Sequence, residues 1–452
     1  MDFSRQVTGA CRLIDRWLAY NVAMERIPGL SVGIVYQQQV VFQRGYGYAD
    51  LAGETKASAT TCYRIASFSK VFTTIAILQL VEQGLLQLDE RAQHYLPWLQ
   101  STHDDRVAQI TIRQLLTHTS GLKRDGETTH WVDFRFPALE EIQQQVAASP
   151  MAYTPAITWK YSNFGYTLLG EIIRVVSGQA YETYVQEHIV QPIGLLHTGP
   201  TLNEKMNAEM AVGYGRDLPG QARQPFPAIE THVMASATGF TSNIADLCRF
   251  LLAQFEGDTS LLQETTKREM RRVQWLRDGY TSDWCLGLQT WKVSERRLYG
   301  HGGSFQGYQS RFGFDPEQNI GMVILTNAID GPALSLLDGA IQVINHLIAH
   351  FDTFGQSENQ VENAQRYEGR FRSIWGDTEM IEINGSLVMY ASGPGSPALD
   401  FHQLRQQPDG NFIVSSGNSI GQLGERVRFE FDQQGTPVRA FIGANYADRV
   451  EG

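Results

Sequence analysis

The stretch YRIASFSKVFTTIAILQLVEQGLLQLDE, residues 63–90, decides how this chain is read. Its middle, VFTTIAILQLVEQ, is apolar almost all round, and Gly84 ends it as a helix. A helix without a polar face belongs inside a protein. Ser67-Phe68-Ser69-Lys70 opens that helix, which predicts Ser67 and Lys70 on one face, a turn apart. The helix N-terminus offers free N–H groups and positive potential beside the hydroxyl. A lysine within apolar surroundings is desolvated, which lowers its pKa from about 10.4 and makes the neutral amine a base. The bare pattern is weak, because Ser120-Gly121-Leu122-Lys123 matches it as well. That second match has a glycine inside it and follows a segment end, so its side chains have no fixed helical relation.

Working outward, LSVGIVYQQQVVFQRGYGYAD alternates like two strands around the polar turn Gln37 to Gln39. GYTLLGEIIRVVSG reads as an amphipathic helix. Strands return at TSDWCLGLQTWKV, LYGHGG, GYQSRFGFDP and IGMVILTNA, and the helix ALSLLDGAIQVINHLIAH follows. Strands at both ends with helices between them predict an α+β fold with one antiparallel sheet closed by its ends. Residues 353–364, DTFGQSENQVEN, are polar without periodicity and read as a linker. About eight short alternating runs beyond it predict a small all-β barrel or sandwich. The expected division is therefore 1–352, 353–364 and 365–452.

Two downstream motifs supply context for Ser67. Tyr161-Ser162-Asn163 lies just before the amphipathic helix. A tyrosine can bridge proton transfer between a serine, a lysine and a leaving group, and an asparagine amide can orient lysine and substrate. Alone, the motif reads more often as a structural turn with a helix cap. His301-Gly302-Gly303, followed by Ser304, lies between two strand-like runs. Its glycines fit a strand edge that substrate backbone approaches closely, or a hairpin turn with an incidental histidine.

The order and spacing of these elements resemble the serine β-lactamase, penicillin-binding and D-stereospecific peptidase superfamily, nearest its class C-like branch of esterases and D-aminopeptidases. The resemblance runs over most of residues 28–330, including IPGLSVGIV, ITIRQLLTHTSGL, WKYSNFGYTLLGEII, GFTSNIADLCRFL and HGGSFQGYQSRFGFDPEQNIGMVILTNA. It implies Ser67 as nucleophile and Lys70 with Tyr161 as the proton-transfer pair. Asn163 is then an amide contact, His301 stands in the third motif, and the N–H groups of Ser67 and Ser304 form the oxyanion hole. His301 replaces the lysine usual in class C β-lactamases, and a neutral histidine holds a substrate carboxylate less firmly. The implied activity is a serine hydrolase of amide or ester bonds, acting on short peptides that can include D-residues. The alternatives are a carboxylesterase or weak β-lactamase, an acyl transferase or peptide cyclase, and an inactive binding module. The all-β segment resembles lipocalin-like barrels appended to some D-aminopeptidase-like members, where it would trim the cleft or mediate homo-oligomer assembly.

Composition excludes other classes. A formal net charge of -11 without basic clusters disfavours nucleic acid and anionic membranes. No run reaches the length of a membrane span, and the N-terminus lacks the pattern of a signal peptide, so a cytoplasmic protein is expected. The four cysteines are scattered and read as reduced, packed thiols. No metal or other cofactor is expected. Gly29-Leu30-Ser31-Val32-Gly33 matches a nucleophile elbow, but a strand follows Ser31 where a helix is required. His346 and His350 have zinc-like spacing without a third ligand nearby, and His118 reads as a structural hydrogen-bonding group.

Overall fold

A two-residue polar turn sets the first hairpin. Gln37 and Gln38 take φ of 46° and 62°, the pair of left-handed conformations that matches strand twist. They join β1 (Gly29–Tyr36) to β2 (Gln39–Asp50), and β3 (Thr55–Lys56) pairs with β2. The computed structural model describes residues 3–101, 104–148, 151–393, 395–417 and 422–450. Within 27–337, a short pair, β4 (Tyr63–Arg64) and β5 (Thr241–Ser242), precedes β6 (Ser282–Trp284), β7 (Gln289–Val293), β8 (Arg296–Phe305), β9 (Tyr308–Asp315) and β10 (Ile320–Thr326). The sheet order is β3-β2-β1-β10-β9-β8-β7-β6, antiparallel throughout. Val32 lies opposite Ile324, so strands from the two ends of this unit close the sheet, as the sequence pattern predicts. TSDWCLGLQTWKV, which reads as continuous strand, is instead bent into β6 and β7, with Gly287 at φ 64° between them.

Every residue of β1 and β10 is buried, which explains their unbroken apolar sequences. The helix Ile244–Leu252 packs on both, closely enough that a Cβ on Gly33 would fall 2.4 Å from Cys248 Sγ. Ser31 sits within β1 and hydrogen-bonds Tyr63, a strand position and no elbow. The helix expected from VFTTIAILQLVEQ spans Ser69–Glu82, is buried on every face from Ser69 to Leu78, and stops before Gly84 at φ 73°. Aromatic side chains hold its first turn. Phe68 stacks on Phe312 at 3.9 Å, and Phe72 stacks on Phe240 and Phe250 at 4.7 and 4.5 Å.

The second compact unit joins residues up to Arg26 with those from Asp338 onward. Its eight strands, β11 (Gly369–Ser373), β12 (Gly376–Ile383), β13 (Ser386–Ser392), β14 (Phe401–Gln406), β15 (Phe412–Gly417), β16 (Arg426–Phe431), β17 (Pro437–Ile442) and β18 (Asn445–Val450), form a closed barrel. Phe371, Met380, Leu387, Leu404, Phe412 and Val427 form its core.

These units differ from the expected division into 1–352, 353–364 and 365–452. The helix Phe3–Met24 belongs with the barrel. Arg12 and Arg16 clasp Glu368 at 2.5 and 2.6 Å, and the Trp17 indole N–H donates to the Gly393 carbonyl at 3.1 Å. The polar residues read as a linker serve as backbone ties. The last helix runs on to Phe354, Asn359 donates to the Thr353 carbonyl at 2.8 Å, and Val361 N–H donates to Gly385 at 2.9 Å. His346 and His350 stack on each other at 4.6 Å, with His346 against Phe401. All four cysteines are buried and free. Among the described residues, no helix is long and apolar enough to cross a membrane.

Phe312→Ala removes the ring on which Phe68 stacks. It should cost about 3–5 kcal/mol of the stability of the 27–337 unit, read as a lower denaturant midpoint by near-ultraviolet circular dichroism.

Candidate active site

Ser67 sits in a tight turn, Ala66–Phe68, that runs directly into the helix Ser69–Glu82. The turn is held from two sides. Ile65 N–H donates to the Phe240 carbonyl at 2.9 Å, and Phe240 N–H donates to Ser69 Oγ at 3.0 Å. From the sheet, Ser310 Oγ donates to the Ile65 carbonyl at 2.7 Å. Ala66 takes φ 53°, an uncommon conformation for a residue with a side chain, and the neighbours on both sides enforce it. Ser67 itself stays partly exposed between buried neighbours.

Lys70 is fully buried one turn later. Its Nζ lies 3.2 Å from Ser67 Oγ, 2.7 Å from Asn163 Oδ1 and 2.7 Å from the Ala237 carbonyl. Two of these partners can only accept a hydrogen bond; the third is a hydroxyl that can also donate. A neutral amine, with two N–H groups and one lone pair, satisfies all three when Ser67 donates its proton toward nitrogen. Burial drives the Lys70 pKa well below the usual lysine range, with Asp125 opposing and Arg124 assisting. Three acceptors would serve an ammonium as well, so it is burial that selects the neutral amine.

Asn163 is the first residue of the helix Asn163–Ser177, capped by Ser162 Oγ accepting from Gly165 N–H at 3.0 Å. The motif is thus both a helix cap and part of the site. The Asn163 amide is engaged at both ends, with Oδ1 facing Lys70 and Nδ2 donating to Asp125 Oδ1 at 2.5 Å. The resemblance to the superfamily implies an amide contact to substrate at this position; here the amide is first a brace for Lys70. The Tyr161 hydroxyl is paired with Ser67, and its ring centroid lies 4.9 Å from Lys70 Nζ. Burial raises the Tyr161 pKa above the usual phenol range, the Ser67 hydrogen bond opposing, so it is a neutral phenol. His118 is buried 4.2 Å from the Tyr161 ring, and its Nδ1 accepts the Ser162 N–H at 3.1 Å. Burial pushes the His118 pKa well below its usual value and keeps the ring neutral.

The third motif lies on β8. Pairing with β7 ends at Gly300, so one edge of residues 301–305 is left by β7 and runs beside the Ser67 turn. Gly303 makes that approach possible, since a Cβ there would meet the Ile65 carbonyl oxygen at 2.2 Å and Ala66 Cβ at 2.9 Å. His301 is buried with its ring edge-on to Trp284 at 5.5 Å. Its Nδ1 faces the Gly302 carbonyl at 2.5 Å, and burial followed by the Lys70 charge pushes its pKa down to about 3. Ser304 is exposed, its hydroxyl accepting from Gln309 Nε2 at 2.8 Å. The competing pair diverges. Gly121 takes φ 77°, Ser120 Oγ accepts the Leu122 N–H at 3.4 Å, and Lys123 pairs with Glu127 at 2.5 Å.

Sequence reasoning missed Ala237 and Asp125. Ala237 acts through a backbone carbonyl in a single wide turn, Ala235–Gly239, which carries no residue-type signal. Asp125 stands beside Arg124 in a loop and reads as half of a surface ion pair.

Gly303→Ala forces the β8 edge away from Ile65. It should destabilise the unit by about 1–3 kcal/mol and slow the reaction of Ser67 with a fluorophosphonate by about a hundredfold, measured as the rate of labelling.

The Beta-lactamase family model matches residues 14–342. Protein flp of Staphylococcus aureus (strain MRSA252) is 28% identical over 337 residues, covering 74% of this chain and 66% of that protein. Penicillin-binding protein 4* of Bacillus subtilis (strain 168) is 26% identical over 287 residues, covering 60% of this chain and 62% of that one. The chain thus spans just under two-thirds of the length of these relatives. The structure of the octameric penicillin-binding protein homologue from Pyrococcus abyssi superposes with a TM-score of 0.66 at 21% identity, covering 96% of this chain and 99% of that one. The crystal structure of SurE gives 0.60 at 19%, covering all of both chains. At such identities the likeness speaks for fold alone, and the fold agrees with the family match. With 329 residues matched (342 less 13), this chain belongs to the Beta-lactamase family.

Proposed function

We propose that this chain is a serine hydrolase that cleaves amide or ester bonds through an acyl-enzyme on Ser67, with short peptides as its substrates. One observation carries the reading: the Lys70 amine is buried between two carbonyl oxygens and the Ser67 hydroxyl, so its lone pair is directed at the proton to be removed.

Lys70 accepts the Ser67 proton as Oγ bonds to the substrate carbonyl carbon. The carbonyl oxygen becomes an oxyanion held by the N–H groups of Ser67 and Ser304, the turn and the β8 edge being apposed at Gly303. The Tyr161 phenol, hydrogen-bonded to Ser67 and with its ring centroid 4.9 Å from Lys70 Nζ, passes the proton to the leaving amine or alcohol as that bond breaks. Water then adds to the acyl-enzyme, giving its proton back through the same pair and releasing the acid. The buried, uncharged His301 supports the peptide reading over a β-lactamase one, because it offers no cation to a substrate carboxylate. The likeness of fold to an octameric penicillin-binding protein homologue supports a homo-oligomer, which light scattering of the full chain would reveal.

Ser67→Ala should abolish both fluorophosphonate labelling and turnover of p-nitrophenyl acetate while the melting temperature is kept. Persistent labelling of that variant would sink the assignment. Within a panel of D- and L-aminoacyl amides, small esters and a cephalosporin, the amides should give the highest kcat/KM; a cephalosporin in first place would overturn the peptide reading.

A further inference from the structure

Asp125 is a partly buried carboxylate in the 27–337 unit that the acyl-transfer steps above do not use. Three groups converge on it. Asn163 Nδ2 donates to Oδ1 at 2.5 Å, Arg124 Nε lies 3.0 Å from Oδ2, and the His130 ring approaches Oδ1 at 3.9 Å. His130 is itself buried and anchored by Thr128, its Nδ1 lying 2.6 Å from Oγ1, and its ring packs on Trp131 and Phe136. The arrangement has one consequence for Asn163. An asparagine amide has two nearly equivalent orientations, and its environment decides which end faces which neighbour. A carboxylate can only accept. It therefore takes the NH2 end and turns the oxygen toward Lys70. With the amide reversed, oxygen would face oxygen at Asp125 and an N–H would face the Lys70 amine.

We propose that Asp125 is a positioning residue: its carboxylate locks the Asn163 amide with Oδ1 toward Lys70 and, by that amide and its own charge, sets how firmly Lys70 holds a proton. The inference rests on Ser67 chemistry with Lys70 as its base. It adds a balancing function that burial alone lacks. Burial pushes the amine toward neutrality, and the carboxylate behind Asn163 pulls the other way. A base too weak to take the serine proton is as useless as one already protonated, and efficient proton transfer needs a pKa near the working pH. The other charged or titratable groups facing Lys70 do not supply this pull. Tyr161 and Tyr166, with ring centroids 4.9 and 5.4 Å from Nζ, are held as neutral phenols by burial. His118 and His301 are held neutral chiefly by burial. Arg124 repels a proton on Lys70 and shares the Asp125 carboxylate. Asp125 is thus the one anion acting on Lys70 among these groups.

The test is the pH dependence of kcat/KM for p-nitrophenyl acetate, a neutral substrate, on the full chain. Activity requires neutral Lys70, so the acid limb follows its protonation. Asp125→Asn removes the anion and should move that limb to lower pH by about one unit. Arg124→Gln leaves the carboxylate without its cation and should move the limb the other way. The Arg124 side chain is 61% exposed, so that variant folds even if Asp125→Asn does not. A merely structural Asp125 would lower the melting temperature and leave the limb where it was. Unmoved limbs in both variants, with Ser67→Ala inactive, overturn the role of Asp125 and leave the serine chemistry standing. Turnover surviving in Ser67→Ala instead defeats the underlying reading.

Discussion

A lysine amine sealed away from water is costly to hold as an ammonium, and much of the 27–337 unit is arranged around that constraint. Lys70 is buried, and its three polar partners come from the turn that leads directly into its own helix, from the start of a second helix and from the wide turn at Ala235–Gly239. Each partner needs its own support. The serine turn is held by Phe240 and Ser310, the asparagine by its helix cap and Asp125, and the aromatic stack of Phe68 on Phe312 ties the turn to the sheet. Removing the amine would leave two carbonyl oxygens facing nothing, a cost of about 1–3 kcal/mol for each buried group. Stability and reactivity therefore rest on the same atom.

The sheet contributes by where it stops. β7 ends its pairing with β8 at Gly300, while β9 continues alongside to Phe305. The last residues of β8 are thus rigid on one side and open on the other. Two glycines keep that open edge free of side chains, and only Gly303 is packed tightly enough against Ile65 that a methyl group there cannot be accommodated without movement.

Much of this was legible from residue order. An apolar helix opening with a serine and a lysine one turn apart is a local pattern, and local patterns survive folding. The competing Ser120 and Lys123 pair was separable on the same ground, because a glycine at φ 77° breaks any helical relation between them. Asp125 was not legible. Its partner Asn163 lies 38 residues away, and nothing in RDG distinguishes a carboxylate turned inward from one turned to solvent. The N-terminal helix shows the same limit. Val7, Leu13, Ile14, Trp17 and Leu18 announce a buried face, but periodicity says only that a face is covered, never by what. Residues 353–364 misled for a related reason: polar side chains that cap backbone groups look the same in sequence as side chains that meet water.

The helix Phe3–Met24 and the barrel form one unit although the whole catalytic unit is threaded between them. Arg12 reaches Glu368 across 356 residues of chain. During synthesis at about 5–20 residues per second, the helix waits roughly 20–70 s for the glutamates that neutralise its arginines. The 27–337 unit is continuous, and its last residue is made 31 residues (368 less 337), roughly 2–6 s, before Glu368. Its first and last strands, β1 and β10, pair with each other, so the segments that lead into and out of it are drawn together as it folds. The 27–337 unit thereby acts as a splint, bringing the early helix to the late barrel and shortening the loop that would otherwise have to close.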